Sequence, residues 1–227
     1  LFLSANVVDV KNAHQSGVAS GLIWGLPLKG LGDSALTEMR IAFDGDAVLF
    51  SEESERIYQH NGVAAFHENE KKKANRPLEP GPFASVLKAL AYVQRNLKPG
   101  GPRIVLGLVT ARNAPADERV VKTLREWDVR FDTMMFLGGI EKSGPLMKFQ
   151  PHIFFDDQVT HCSSASTRVP TAQVLSSMYE HDESILPKCP DCGEVMVRKT
   201  ALRGRNRGKP FWGCSVFPKC RGSISIP

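Results

Sequence analysis

Long apolar runs are missing from this chain of 227 residues: no segment approaches the roughly 20 apolar residues that cross a bilayer. Leu1 to Val10 have neither a basic start nor a cleavage-site pattern, so a secretory signal is not expected. A composition of 42% hydrophobic and 23% charged residues excludes disordered and fibrous classes. These absences predict a globular cytoplasmic protein without a membrane partner.

Cysteine is also scarce, and its distribution is uneven. Four of the five cysteines lie in the last 40 residues, and without export signals such clustering favours a metal site over disulfides. Residues 188–227 carry nine Lys or Arg against two acids, a charge of +7, whereas residues 1–187 carry −2. A basic tail on a slightly acidic body predicts that the tail contacts a polyanion.

The body of the chain alternates short apolar runs with amphipathic stretches, which predicts α/β units around a mostly parallel sheet. The expected strands are Leu1–Leu3, Ile41–Phe43, Ile104–Val109, Thr133–Leu137, Ile153–Phe155 and Ala172–Leu175. The expected helices are Val7–Ser16, Ser54–Phe66, Pro82–Asn96, Asp117–Trp127 and Gly144–Phe149.

Three of these strands end in polar side chains. Asp44 follows the strand at Ile41, Thr110 follows the strand at Ile104, and Asp156 with Asp157 ends the strand at Ile153. The carboxyl ends of strands line the ligand crevice of an open α/β sheet. The sequence therefore predicts a polar site at one sheet edge.

The Asp44-Gly45-Asp46 segment allows three interpretations from its residues alone. The carboxylates could cap amides of a tight turn, or they could take part in ligand chemistry. A calcium loop is a third possibility, but Val48 occupies the fifth position, where that loop needs an oxygen ligand.

The chain divides into a sequence of predicted regions. Residues 1–40 form an N-terminal α/β segment that opens inside a strand, so an upstream piece is expected to be missing. Residues 41–175 form the core, with a charged insert at about 51–82 that is either a solvated helical face or a cap over the crevice. Residues 176–188 form a linker, and residues 189–227 form a ribbon.

In order and spacing, Asp44-Gly45-Asp46, Thr110, Lys142 and Asp156-Asp157 resemble the four motifs of the haloacid-dehalogenase superfamily. Several longer segments are similar to the cytosolic 5′-nucleotidase type 1 family: IAFDGDAVLFSEES (41–54), LEPGPF (78–83), LVTARN (108–113), TLREW (123–127) and PHIFFDDQ (151–158). The resemblance covers about residues 1 to 160. It implies a Rossmannoid parallel sheet with a small cap, and hydrolysis of nucleoside 5′-monophosphates through an aspartyl-phosphate.

The resemblance also implies roles for single residues. Asp44 would be the nucleophile, and Asp46 would protonate the leaving group and later activate water. Thr110 and Lys142 would hold the phosphoryl oxygens. Arg112 would help to bind substrate, with a structural role as its alternative.

A magnesium site is part of the same resemblance. Asp44, the main-chain oxygen of Asp46, and Asp156 would be ligands of Mg²⁺, and Asp157 would complete or orient that shell. A bound cation would offset the repulsion between a phosphate dianion and an attacking carboxylate.

The tail cysteines have the spacing of a zinc site. Cys189 and Cys192 form a C-x₂-C pair, and Cys214 and Cys220 form a C-x₅-C pair. Four thiolates suit tetrahedral Zn²⁺, and binding would help to fold so short a segment. The alternative is two unrelated reduced pairs.

Residues 189 to 226 resemble the C-terminal zinc finger of bacterial type I DNA topoisomerases, which implies binding of single-stranded DNA. Cations and aromatic rings suited to that role are Arg203, Arg205, Arg207, Lys209, Phe211, Trp212 and Phe217. Topoisomerase activity does not follow, because such an enzyme needs a large cleavage domain with a catalytic tyrosine, whereas the body here supplies a different active site. The alternative function is a nucleic-acid-binding adaptor with a secondary or inactive phosphatase body.

Overall fold

A computed structural model describes residues 1–24, 37–98, 100–176, 187–194, 196–201, 205–207 and 209–225. The strands are β1 (Phe2–Ser4), β2 (Ser20–Trp24), β3 (Glu38–Phe43), β4 (Arg103–Thr110), β5 (Thr133–Phe136), β6 (Ile153–Asp156), β7 (Thr171–Val174), β8 (Met196–Thr200), β9 (Pro210–Cys214) and β10 (Ser223–Ser225). The helices are α1 (Val7–Gln15), α2 (Glu53–Lys72), α3 (Ala84–Asn96), α4 (Asp117–Glu126), α5 (Ser143–Phe149) and α6 (Val159–Ser166), with a π-helical turn at Gly45–Leu49.

Seven strands form one sheet in the order β1-β2-β7-β6-β3-β4-β5. Neighbouring strands are parallel except β2 and β7, which are antiparallel. The expected α/β class with a mostly parallel sheet is thereby confirmed. Strands β6, β3 and β4 are neighbours, so the polar residues that end them lie along one stretch of the sheet edge.

The central strands bury both of their faces, as parallel strands covered by helices do. In β3, Ile41 and Phe43 pack into one hydrophobic cluster, whereas Ala42 packs into a second cluster. In β6, Phe155 joins the first cluster and Phe154 the second. This period of two follows from the alternating side-chain direction of a strand.

Stacked aromatic rings hold β3 and β6 together beside the polar edge. The Phe43 and Phe155 rings are nearly parallel, with centroids 5.3 Å apart. The Phe83 ring, next to the start of α3, lies 4.7 Å from the Phe155 ring. All three side chains are at most 2% exposed, so the residues that follow these strands rest on a closely packed base.

Most sequence-based boundaries agree with the structure to within three residues, and the exceptions are informative. Helix α2 continues six residues beyond the predicted end at Phe66, and it forms most of the insert predicted at 51–82. Strand β2 and helix α6 were not predicted. Strand β2 lies in the same sheet as the core although it belongs to the predicted segment 1–40. The predicted linker falls largely outside the described residues.

The last three strands form a separate antiparallel sheet in the order β10-β9-β8. This small sheet lies within the ribbon predicted for residues 189–227. In the described parts of the chain, none of the helices has the length and apolar character needed to span a bilayer.

Candidate functional site

Acidic side chains from β3 and β6 meet at the carboxyl edge of the seven-stranded sheet. Phe43 pairs with Phe155 in the parallel register, so Asp44 and Asp156 leave neighbouring strands side by side. The Asp44 N–H donates to the Phe155 carbonyl oxygen at 2.8 Å, which fixes the start of the loop. Carboxylate oxygens of Asp44, Asp156 and Asp157 all lie within 4.8 Å of one another.

Lys142 brings the positive charge to this acid cluster. It immediately precedes α5, and its Nζ lies 2.7 Å from Asp156 Oδ2 and 2.8 Å from Asp44 Oδ1. The contact to Asp156 is a hydrogen bond, whereas the contact to Asp44 is an ion pair outside hydrogen-bond angles. Burial lowers the pKa of Lys142, but the two carboxylates outweigh burial and hold that pKa above its usual range.

Asp157 is the feature of the cluster that points to a cation. Its side chain is 1% exposed, and neither carboxylate oxygen has a hydrogen-bond partner. A buried carboxylate without partners is costly unless it is protonated or bound to a metal ion. Burial, and then the charges of Asp156 and Asp44, raise the pKa of Asp157. Three clustered oxygen donors of this kind suit Mg²⁺.

The same surroundings act differently on the other two acids. Burial raises the pKa of Asp44 to about 7, because the pull of Lys142 in the opposite direction is smaller and Asp156 adds repulsion. For Asp156, Lys142 and His161 outweigh burial and lower the pKa. One carboxylate of the cluster therefore stays ionised while its neighbours hold protons more tightly in the absence of a metal ion.

The loop after Asp44 is held in shape by close packing. A Cβ at Gly45 would lie 3.3 Å from Thr110 Oγ1, so the glycine keeps Asp44 and Thr110 close. The next segment backs this loop, because the Gly81 N–H donates to Leu49 O at 2.8 Å. A Cβ at Gly81 would lie 2.7 Å from Val48 O and closer still to Phe50 O. The LEPGPF segment thus supports the loop that follows Asp44.

The structure separates the side chain of Asp46 from the acid cluster. Arg112 holds that carboxylate with two hydrogen bonds, from Nε at 2.7 Å and from Nη2 at 2.6 Å. Thr110, at the end of β4, accepts a hydrogen bond from the Arg112 N–H at 3.3 Å through its hydroxyl oxygen. The metal-ligand prediction for Asp46 therefore concerns only its main-chain oxygen.

Sequence reasoning did not identify Glu70, a fully buried acid near the end of α2. Arg112 Nη1 donates to it at 2.6 Å and Arg119 Nη1 donates to it at 3.0 Å. In the sequence this residue sits in a run of charged residues, which predicts a solvated face. No local signal in the sequence marks Glu70, because the burial of its partners Arg112 and Arg119 is visible only in the structure.

The four tail cysteines come together as predicted from their spacing. Cys189 Sγ lies 3.6 Å from Cys220 Sγ, and Cys192 Sγ lies 3.5 Å from Cys214 Sγ. All four sulfurs lie within 4.8 Å of one another, and none is in a disulfide. Four thiolates around tetrahedral Zn²⁺ at about 2.3 Å are separated by about 3.8 Å, so the cluster has suitable dimensions.

Local hydrogen bonds favour a thiolate at the first of these cysteines. Burial raises the pKa of Cys189, but main-chain N–H groups of Asp191 and Cys192 outweigh burial and lower the pKa to about 7. A Cβ at Gly222 would overlap the Cys189 sulfur, so a glycine is needed at this position just before β10.

The residues predicted to bind nucleic acid fall into three groups. Arg205, Arg207 and Lys209 are exposed, and Phe217 is 58% exposed beneath Lys199, whose Nζ lies 5.0 Å from the ring centroid. Phe211 and Trp212 are half-buried, and Trp212 packs against the cysteine cluster. Arg203 lies outside the described residues.

A mostly parallel α/β sheet with a lysine and three clustered carboxylates at its carboxyl edge places this chain among α/β proteins that have a polar site where the strands end. Comparison with known proteins identifies the family: the 5′-nucleotidase family model matches residues 1–181, so the chain belongs to the 5′-nucleotidase family. The resemblance to 5′-nucleotidases that was inferred from the sequence is confirmed.

Two individual proteins illustrate the similarity. Over 172 residues the chain is 38% identical to cytosolic 5′-nucleotidase 1B of Homo sapiens, covering 73% of this chain and 28% of that protein. The chain thus spans just over a quarter of the length of this curated relative. A crystal structure of a HAD-superfamily hydrolase from Geobacter sulfurreducens is similar at a TM-score of 0.34 and 18% identity, covering 62% of this chain and 89% of that one. So distant a likeness adds nothing to the topology described above.

Proposed function

We propose that this chain is a Mg²⁺-dependent phosphohydrolase of the haloacid-dehalogenase type that cleaves nucleoside 5′-monophosphates to nucleoside and phosphate. One observation carries the proposal: Asp44, Asp156 and Asp157 form a buried acid cluster, with Lys142 between two of its members. Membership of the 5′-nucleotidase family supplies the class of substrate.

Asp44, from the acid cluster, and the nearby Asp46 would divide the work of the reaction. An Asp44 oxygen attacks phosphorus while the ester bond to the nucleoside oxygen breaks, which leaves a phosphoryl group on Asp44. The leaving oxygen takes a proton from Asp46. Water then attacks the phosphoryl group, Asp46 takes a proton from that water, and phosphate leaves as the Asp44 carboxylate is restored.

Other groups bind and hold charge. The Thr110 hydroxyl and the Lys142 ammonium would bind phosphoryl oxygens, and the burial of both near Asp44 supports this role. Asp44, Asp156 and Asp157, with the main-chain oxygen of Asp46, would hold Mg²⁺. The cation would supply positive charge against the phosphate dianion.

The test is phosphate release from a panel of nucleoside 5′-monophosphates, with and without Mg²⁺. We expect turnover that depends on Mg²⁺. Turnover should fall by at least about a thousandfold in Asp44→Asn, because this variant lacks the proposed nucleophile. Asp128→Asn is the matched control, since Asp128 is an exposed partner of Arg95 at a positive φ that asparagine tolerates. Wild-type turnover in Asp44→Asn would refute the role of this residue.

We further propose that the cysteine cluster binds Zn²⁺ and that the protein is cytoplasmic, which is where the name of the human relative places that protein. Localisation of the tagged full-length protein tests the second statement, and a membrane or secreted location would contradict it.

A second candidate function is binding of single-stranded nucleic acid by the tail. Three exposed cations, Arg205, Arg207 and Lys209, lie within one short stretch, and the Phe217 ring is exposed in the same small sheet region. The test is retention of labelled single-stranded DNA at low salt by the whole chain and by a chain lacking residues 188–227. We expect that only the whole chain binds the DNA and that this binding weakens as salt is added. Equal binding by the whole and the shortened chain would overturn this second function.

A further inference from the structure

Arg112 has almost no hydrogen-bonding capacity left for substrate. The residue is 3% exposed, and four of its five N–H groups donate to protein acceptors: two to Asp46, one to Glu70 at 2.6 Å and one to the Ala116 carbonyl oxygen at 3.4 Å. One face of the guanidinium lies over the Phe66 ring, 5.3 Å from its centroid. Arg112 is therefore fixed in place by its surroundings.

Glu70 is the other end of this arrangement. Besides Arg112 and Arg119, it accepts hydrogen bonds from Ser54 at 2.8 Å and from Asn69 at 3.0 Å. A fully buried carboxylate is tolerated when it is paired and saturated in this way. Its partners lie on α2, at the end of β4 and on α4, so Glu70 joins the insert to the core.

Arg119 extends the network to the beginning of the same insert. Its Nη2 lies 3.4 Å from Glu53 Oε2, and its Nε donates to the Arg76 carbonyl oxygen at 2.8 Å. Both ends of α2 are thus tied to buried arginines of the core. Asp46 is the member of the network next to the acid cluster, and its side chain is 14% exposed.

We propose that Arg112 and Glu70 are positioning residues that fix the Asp46 carboxylate for its proton transfers, so that the insert helix contributes to the reaction through Glu70. The inference rests on the proposed function. A carboxylate held by two parallel hydrogen bonds keeps one orientation, whereas a free aspartate samples several rotamers. Proton transfer requires the donor within hydrogen-bond reach of the leaving oxygen, so loss of orientation slows that transfer.

The first test compares two substrates in Arg112→Lys and Glu70→Gln. A nucleoside 5′-monophosphate needs a proton on its leaving oxygen, whereas 4-nitrophenyl phosphate releases a stable anion. We expect kcat/KM to fall about tenfold to a hundredfold for the nucleotide, and less than about threefold for 4-nitrophenyl phosphate. The inhibition constant for inorganic phosphate should stay unchanged, because phosphate binding does not use Asp46.

The second test is a double-mutant cycle that needs only the nucleotide. In an Asp46→Asn background, Arg112→Lys and Glu70→Gln should each change kcat/KM by less than about twofold, because the residue they orient no longer transfers protons. Glu70→Gln keeps the shape of the side chain, so both tests can be done with this variant alone if Arg112→Lys fails to fold. Arg95→Lys, which alters an exposed ion pair with Asp128, is the control arginine variant.

The outcomes separate the two proposals. Equal losses of kcat/KM for both substrates would overturn the positioning role and leave a structural one. Effects of Arg112→Lys and Glu70→Gln on kcat/KM that are fully additive with the effect of Asp46→Asn would have the same meaning. A wild-type chain that releases no phosphate from any nucleotide would instead count against the proposed function.

Discussion

The acid cluster and the cysteine cluster of this chain lie against hydrophobic cores of different size. The acid cluster lies on strands whose two faces are buried in separate hydrophobic clusters, and Asp44, Asp156 and Asp157 are at most 4% exposed. In the described part of the tail, the core consists of Cys189, Met196 and Cys214, with Trp212 and Cys220 packed against them. The proposed zinc ligands therefore also make up most of this small core.

This difference predicts opposite relations between metal and fold. The seven-stranded sheet has enough buried apolar surface to hold its acids in place before any cation binds. Among the described residues, the three-stranded sheet buries much less apolar surface. Binding of Zn²⁺ would therefore supply the free energy that orders this sheet. A metal ion at the acid cluster would serve chemistry, whereas a metal ion at the cysteine cluster would serve folding.

Removal of Zn²⁺ should have the largest effect. A chelator, or Cys192→Ser, should unfold the small sheet and leave the seven-stranded sheet intact, since structural zinc contributes on the order of 10 kcal/mol to such modules. Hydrogen exchange of the whole chain checks this, with protection lost only after residue 187. Cys162→Ser is the control cysteine, and unchanged protection in chelator would show that the tail folds without metal.

Substitution of Gly81 should have the next largest effect. An alanine Cβ would collide with the carbonyl oxygens of Val48 and Phe50, and main chain cannot move aside as a flexible side chain can. We expect Gly81→Ala to lower the free energy of unfolding by about 1–3 kcal/mol and to reduce turnover, because the loop after Asp44 shifts. Chemical denaturation and phosphate release measure the two effects.

Gly144→Ala provides the matched control for this substitution. A Cβ at Gly144 meets no atom within 4 Å, and the residue lies within α5, where alanine is favoured. Equal destabilisation by the two substitutions would show that the LEPGPF segment does not support the loop.

The smallest of these effects concerns pH. Because the pKa of Asp44 without metal is about 7, Asp44 is protonated at lower pH and Mg²⁺ must displace that proton. The raised pKa of Asp157 acts in the same direction. Mg²⁺ affinity should therefore rise by about thirtyfold or more from pH 5.5 to pH 8. Calorimetric titration measures it, and a constant affinity would mean that Asp44 is not a ligand.

The comparison also shows what a sequence can predict about such a site. Asp44, Thr110 and Asp156 could be located because parallel strands bring their carboxyl ends to one edge. The four cysteines could be grouped because their spacing is that of two metal-binding turns. In both cases the ligand positions follow from local patterns that the fold only has to bring together.

Other features depend on contacts between distant segments, which local patterns do not contain. Glu70 looks like one more charged residue of an exposed helix, yet it is fully buried between Arg112 and Arg119, 42 and 49 residues away. From the sequence, substrate binding and a structural role were both open for Arg112, and its pairing with Glu70 became visible only in the structure. Strand β2 was missed because its place in the sheet is set by antiparallel pairing with β7, far along the chain.

The most direct test of the central claim is a titration with Mn²⁺, a paramagnetic substitute for Mg²⁺, followed by electron paramagnetic resonance of the zinc-loaded chain. We predict one bound Mn²⁺ per chain that Mg²⁺ displaces, and at least about tenfold weaker binding in Asp157→Asn but not in Asp128→Asn. Absence of bound Mn²⁺, or undiminished binding in Asp157→Asn, would contradict a cation site formed by these three carboxylates.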